Sequence, residues 1–144
     1  MQSGRRIGFD FGVVRIGVAM SDTSGLIASP LTTLQAQSAD LAEQLSSLFA
    51  EFEPIYLAVG EPKHLGGSES KSMELVAEFV SLLRTITSVP IHMVDERMST
   101  LSAARDLRAT GHTAKTSKEK IDAASAVAIL ESALNRERIA GKIE

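Results

Sequence analysis

The 144-residue chain predicts a mixed α/β fold: one five-stranded sheet, three antiparallel strands followed by two parallel ones, with helices on both faces. Two observations carry this. The first third runs in short alternating apolar and polar stretches separated by glycine turns, which is the pattern of antiparallel hairpins. From Leu41 onward, helical stripes alternate with near-continuous apolar runs, as in β-α-β units whose strands are covered on both faces. A chain of this length needs only one core, so a single domain over residues 1–144 is expected.

The elements follow in order. In "RRIGFDFG", Ile7, Phe9 and Phe11 alternate with Gly8, Asp10 and Gly12, giving the first strand. "RIGVAMSD" and "LIASPLTTL" supply two more strands, after turns carrying Gly12 and Gly25. Asp40 can cap a helix in which Leu41, Leu45, Leu48, Phe49 and Phe52 recur at helical spacing, ended before Pro54. "IYLAVG" is the fourth strand, and "EPKHLGGSES" connects it to a helix with the stripe Met73, Val76, Phe79, Val80 and Leu83, with Ser68 or Ser70 as the cap. "VPIHMVDE" is the fifth strand. A helix is then expected from Ser99 or Thr100 to Gly111. The last helix runs to Ala140, with Thr116 and Glu119 at capping-box spacing near its start.

Composition removes several function classes. Cysteine is absent, which excludes disulfides, thiolate zinc sites and a cysteine nucleophile. No apolar run reaches the roughly 18 residues of a membrane span, and the N-terminus has no signal-peptide core, so a soluble cytoplasmic protein is expected. The net charge of −3 argues against gripping nucleic acid by bulk charge, yet residues 97–120 hold six basic side chains and two acidic ones.

Asp10 stands out because a carboxylate in a half-buried strand costs several kcal/mol unless something answers it. Parallel fourth and fifth strands bring the ends of strands one, four and five together. Asp10, Asp95, Glu96 and Asp122 can therefore converge from positions more than 100 residues apart. Carboxylates about 4 Å apart repel by about 4 kcal/mol at an effective dielectric of 20, and a dication reverses that sign. Oxygen ligands without thiolates suit Mg²⁺ or Mn²⁺, and the reaction class is then phosphodiester hydrolysis. Bland alternatives stand beside this: Asp10 in a salt bridge, Asp95 paired with Arg97 or capping a helix, Asp122 as a helix-dipole partner. Successive strand residues point to opposite faces, which argues against Asp95 and Glu96 serving the same ion.

Four stretches, "GFDFGVVRIGVAMSD" (8–22), "VGEP" (59–62) with Gly67, "DERMST" (95–100) with Ala103, and "KIDAASA" (120–126), resemble in order and spacing the YqgF/RuvX family of the RNase H-like superfamily. The resemblance implies an RNase H-like sheet and a metal-dependent nuclease, described either as maturing the 5′ end of pre-16S rRNA or as resolving Holliday junctions. It places the family's acidic triad on Asp10, Glu96 and Asp122, with Asp10 bridging the ions. Two departures affect substrate grip rather than the triad. Val14 stands where the family usually has Lys, and Glu61, His64 and Gly66 replace the usual residues of the fourth-strand loop.

Arg15 and Arg97 flank the proposed acids, where they can hold phosphate oxygens or neutralise the acids internally. Lys115 and Lys118 belong to the basic run, which reads as a phosphate-tracking ridge or a solvated helix face. All six aromatics fall in expected strands or helices, so recognition is expected through phosphate and shape, as for structured RNA or branched DNA, rather than by stacking. His64, His92 and His112 lack zinc-site spacing, and "LGGSES" lacks the Lys-Ser/Thr ending of a P-loop. Two other classes remain in view: an Asp-x-Gly nucleotide-phosphate binder, and a non-catalytic RNA-binding ribosome assembly factor. The chain is expected to act as a monomer or a homodimer, the latter being what symmetric cutting of a junction requires.

Overall fold

The computed structural model describes residues 2–62, 70–95 and 114–140, with the backbone alone described at residue 70 and over 114–122. Its elements are β1 (Arg6–Phe11), β2 (Arg15–Ser21), β3 (Ala28–Gln35), α1 (Leu41–Phe52), β4 (Tyr56–Glu61), α2 (Ser70–Ile86), β5 (Ile91–Asp95) and α3 (Ala114–Ala140). They form a single sheet of order β3-β2-β1-β4-β5. The pairs β1·β2 and β2·β3 are antiparallel, and β1·β4 and β4·β5 are parallel, as expected. The expected helix at 99–111 and the possible cap Ser68 lie outside the described residues.

Strand alternation sorts the core into two layers. Ile7 and Phe9 of β1, Ile16 and Val18 of β2, and Leu57 and Val59 of β4 meet Leu41, Leu45 and Phe49 of α1 and Val76, Phe79 and Leu83 of α2. Phe9 meets Phe49 and Phe79 edge to face, at centroid distances of 6.3 and 5.4 Å. The opposite face takes Ala19, Tyr56, Ala58 and Val94 against Ala126, Ile129, Leu130, Ala133 and Leu134 of α3. Among the described residues no helix is long and apolar enough to cross a membrane.

Four local expectations need correction. Leu26 and Ile27 do not open β3; each is 65% exposed in the preceding turn. Their N–H groups go to Asp22 Oδ1 at 2.8 and 3.1 Å, which closes the turn and delays the strand to Ala28. Asp40 occupies the N-cap of α1 but makes no side-chain capping bond. Instead its own N–H donates to Ser38 Oγ at 3.1 Å, and Leu41 N–H to Ser38 O at 3.2 Å. Thr116 is the third residue of α3 rather than its cap, because Ala114 and Lys115, both good helix formers, extend the helix backward. Met73 does not pack into the core stripe; it is 47% exposed.

The end of β1 remote from Asp10 is fastened by a buried polar network. Arg6 Nη2 donates to Glu137 Oε2 at 2.7 Å, Tyr56 Oη donates to Glu137 Oε1 at 3.0 Å, and the guanidinium also reaches Gly4 O and Gln2 O at 2.5 and 2.6 Å. Arg6 is wholly buried and Glu137 nearly so. Burial, with the Glu137 carboxylate beside it, pushes the Tyr56 hydroxyl well above the ordinary phenol range, so it remains a donor. Sequence reading passed over this network. Its signal was Arg6 at a position that strand alternation assigns to the α3 face.

Truncating Glu137 to alanine leaves Arg6 buried and unpaired, and is expected to cost about 3–5 kcal/mol in denaturant unfolding. Asp22, at the turn before β3, has its pKa lowered from 3.8 to about 2, first by the Ser24 hydroxyl and then by the Ile27 N–H. Because the folded value is the lower one, this carboxylate stabilises the fold above pH 4, and the contribution fades as pH falls toward 2. Wild type is therefore expected to lose more of its thermal midpoint than Asp22→Ala between pH 4 and pH 2.

Candidate catalytic site

Asp10 is the fifth residue of β1 and half-buried, on the same face as Arg6 and Gly8 and therefore under α3. The register Phe9↔Val59 and Val59↔Met93 carries forward to Gly60 of β4 and Val94 of β5 beside Asp10. Asp95 is the last residue of β5 and pairs with Glu61, one step further on. The central strand and its two parallel neighbours thus end in one row, as the crossovers require.

Across that face, α3 runs antiparallel to β1. Glu137 sits at Arg6, while Ala126 and Leu130 sit at Gly8. A Cβ on Gly8 would lie 2.8 Å from Leu130 Cβ and 3.1 Å from Ala126 O, so a hydrogen at this position is what lets the helix lie so close. Asp122 is one turn before Ala126, on the stripe that continues through Ala126, Ile129 and Ala133, in the third turn of a helix that begins at Ala114. That is a turn later than the sequence suggested, beyond the reach of the helix dipole. Residue 122 lies one helical turn nearer the start of α3 than Ala126, in the direction in which β1 runs from Gly8 to Asp10.

The remaining expected site residues divide as follows. Arg15 opens β2, half-buried, on the far side of the loop that follows Asp10, and pairs with Gln35 of β3. Lys115 and Lys118 lie on the backbone of the first two turns of α3. Glu96 and Arg97, which follow Asp95 directly in sequence, fall outside the described residues, as do His64, Gly66 and His112. His92 is a β5 residue packed edge to face on Tyr56 at 5.1 Å, a structural place. Asp22, at the end of the first motif, has Oδ1 committed to two turn N–H groups and Oδ2 to the Ser24 hydroxyl, so it closes a turn rather than serving the site.

Among the described residues no three His, Cys, Asp or Glu side chains gather as a cation would need. A cavity of about 300 Å³, lined by Glu61, Met73, Val76, Val80, Arg84 and Met93, lies between α2 and the sheet, on the face opposite Asp10. It belongs to a different part of the surface.

The RuvX family, described as Holliday junction resolvase, matches residues 4–136. The chain belongs to that family. Relatives named "Putative pre-16S rRNA nuclease" include one from Streptomyces coelicolor, 42% identical over 99% of this chain and 86% of its own length. Another, from Streptomyces avermitilis, is 41% identical over 99% of this chain and 92% of its own. Among solved structures, Thermus thermophilus RuvC bound to a Holliday junction substrate superposes with a TM-score of 0.63 at 17% identity, covering 95% of this chain and 96% of that one. RuvC without substrate gives 0.60. These two share the RNase H-like fold. Membership makes the chain a hydrolase of the nuclease class.

If the close approach of α3 to β1 positions this site, Gly8→Ala must displace the helix, because the new methyl meets Leu130 Cβ and a backbone carbonyl rather than a movable side-chain end. The expected cost is about 1–3 kcal/mol in denaturant unfolding, with activity falling more steeply than the folded fraction. Gly12→Ala has a different contact, the Arg15 carbonyl at 2.7 Å, and serves as a loop control.

Proposed function

We propose that the chain is a divalent-metal-dependent nuclease acting on structured RNA in the cytoplasm, and that its reaction is 5′-end maturation of pre-16S rRNA. The observation that carries this reading is the half-buried Asp10 on the α3 face, near the end of β1 and beside the ends of the parallel strands β4 and β5. The name carried by relatives about 40% identical over nearly the full chain supports the substrate.

The donor set is all oxygen, as Mg²⁺ or Mn²⁺ prefers, and Asp10, Glu96 and Asp122 would hold the ions. Bound there, such ions supply Lewis acidity and lower the pKa of water at neutral pH. The rest is done by the chain. Partial burial of Asp10 keeps the site poor in bulk water, which strengthens its attraction for cations. Arg15, Arg97, Lys115 and Lys118 hold phosphate oxygens and set the strand in line. Water oxygen adds to phosphorus, the bond to the leaving oxygen breaks, and that oxygen takes a proton.

The test is cleavage of a precursor carrying the 5′ extension of 16S rRNA, with a four-way DNA junction in parallel and Mn²⁺ or Mg²⁺ present. Wild type is expected to cut the RNA and to lose activity on chelation, and Asp10→Asn to lose about 100-fold or more with its unfolding curve intact. Equal cleavage by both proteins removes the reading, and cleavage of the junction alone reassigns the substrate to DNA.

A further inference from the structure

α3 carries one polar group that its packing does not use. Ser125 is wholly buried, and among the described residues its hydroxyl has no hydrogen-bond partner. A hydroxyl donates one bond and accepts two, and leaving it unpaired away from water is unfavourable. Such groups are uncommon in folded proteins, and where they persist they point to a bound water, an ion or a chemical role. Alanine, which stands at 123, 124, 126 and 128 of the same helix, would fill the position without that cost. Close packing therefore does not account for a serine at 125.

The hydroxyl sits near the proposed acids. Ser125 immediately precedes Ala126, whose carbonyl oxygen would lie 3.1 Å from a Cβ on Gly8, two residues before Asp10 on the same face of β1. Ser125 and Arg136 are about three helical turns apart and share a flank of α3. Arg136 Nη2 comes within 3.5 Å of Met93 O in β5, whereas Arg138, on the other flank, donates to Gly25 O in the turn between β2 and β3. Ser125 is thus on the side of the helix nearer β4 and β5. Beneath it, the strand neighbours of Asp10 are Gly17 of β2 and Gly60 of β4, so neither brings a side chain to that row. Residue 122 is three positions before Ser125, the spacing of neighbours on a helix surface.

We infer that Ser125 is a positioning residue of the cation site, its hydroxyl answering the hydration shell of a divalent ion held at Asp10. The inference rests on the nuclease reading for the ion and adds the group on α3 that orients it. Mg²⁺ gives up its waters reluctantly, and the waters it keeps need hydrogen-bond acceptors in fixed directions. A serine hydroxyl supplies two acceptor lone pairs without a competing positive charge, and burial holds it in place. Groups that orient a metal's ligands and waters in this way commonly govern its affinity.

The experiment titrates Mn²⁺ into the full chain by electron paramagnetic resonance and records thermal midpoints in EDTA. It compares wild type, Ser125→Ala, Asp10→Asn and Ser132→Ala, the last an exposed serine of the same helix that reports helix propensity alone. Wild type is expected to bind Mn²⁺, Asp10→Asn to lose that binding, and Ser125→Ala to bind about tenfold more weakly, with Ser132→Ala unchanged. In EDTA, Ser125→Ala is expected to melt no lower than Ser132→Ala, because it removes a hydroxyl that no described residue satisfies. Unchanged Mn²⁺ affinity in Ser125→Ala overturns the inference, as does an equal loss in Ser132→Ala. A midpoint in EDTA below that of Ser132→Ala also overturns it, since the hydroxyl would then belong to the fold. Failure of wild type to bind Mn²⁺, or equal binding by Asp10→Asn, overturns the nuclease reading and this inference together; loss in Asp10→Asn with none in Ser125→Ala removes the role of Ser125 alone.

Discussion

The close packing of one helix across one strand governs the arrangement of this protein. α3 is drawn onto β1 at one end by a buried ion pair, Arg6 with Glu137, and meets Gly8 in the middle, where a Cβ would come within 2.8 Å of Leu130. Neither contact alone fixes the helix. The ion pair sets its position along the strand, since a guanidinium and carboxylate removed from water tolerate little displacement once paired. The glycine sets its height above the sheet. Together they fix how α3 lies across β1.

The layers behind the sheet make that arrangement stiff. Phe9, adjacent to Asp10, is wholly buried against Phe49 and Phe79, and Phe11 on its other side stacks on Phe79 at 5.0 Å. Asp10 is thus held between two aromatic anchors on the opposite face of its own strand. A carboxylate in such a strand has few ways to move away from a neighbouring charge.

Much of this was legible in the residues, for a physical reason. Strand alternation at Ile7, Phe9 and Phe11 and helical spacing at Leu41, Leu45 and Phe49 are strong periodic signals, and parallel crossovers then dictate where strand ends meet. Individual termini were less legible, because they depend on competition for single hydrogen bonds. Asp22 captures the N–H groups of Leu26 and Ile27, and Ser38 does the work expected of Asp40. The Arg6–Glu137 pair was invisible for another reason. Nothing in a sequence pairs two charges 131 residues apart until the helix that carries one has been laid across the strand that carries the other.

The same geometry separates stability from chemistry along β1. Its first residue carries the buried charge network, its third the close helix contact, and its fifth is Asp10. A strand about 20 Å long can hold all three only because successive even-numbered residues present one face to α3 while odd-numbered ones feed the aromatic core. Changes at the Arg6 end therefore reach the rest of this face through the helix rather than through space: loosening Glu137 frees α3 to slide along β1. Substitution in the loop between β1 and β2 has no such lever, since the carbonyls of Val13 and Val14 are tied by Gln37 and Ala36 without their side chains.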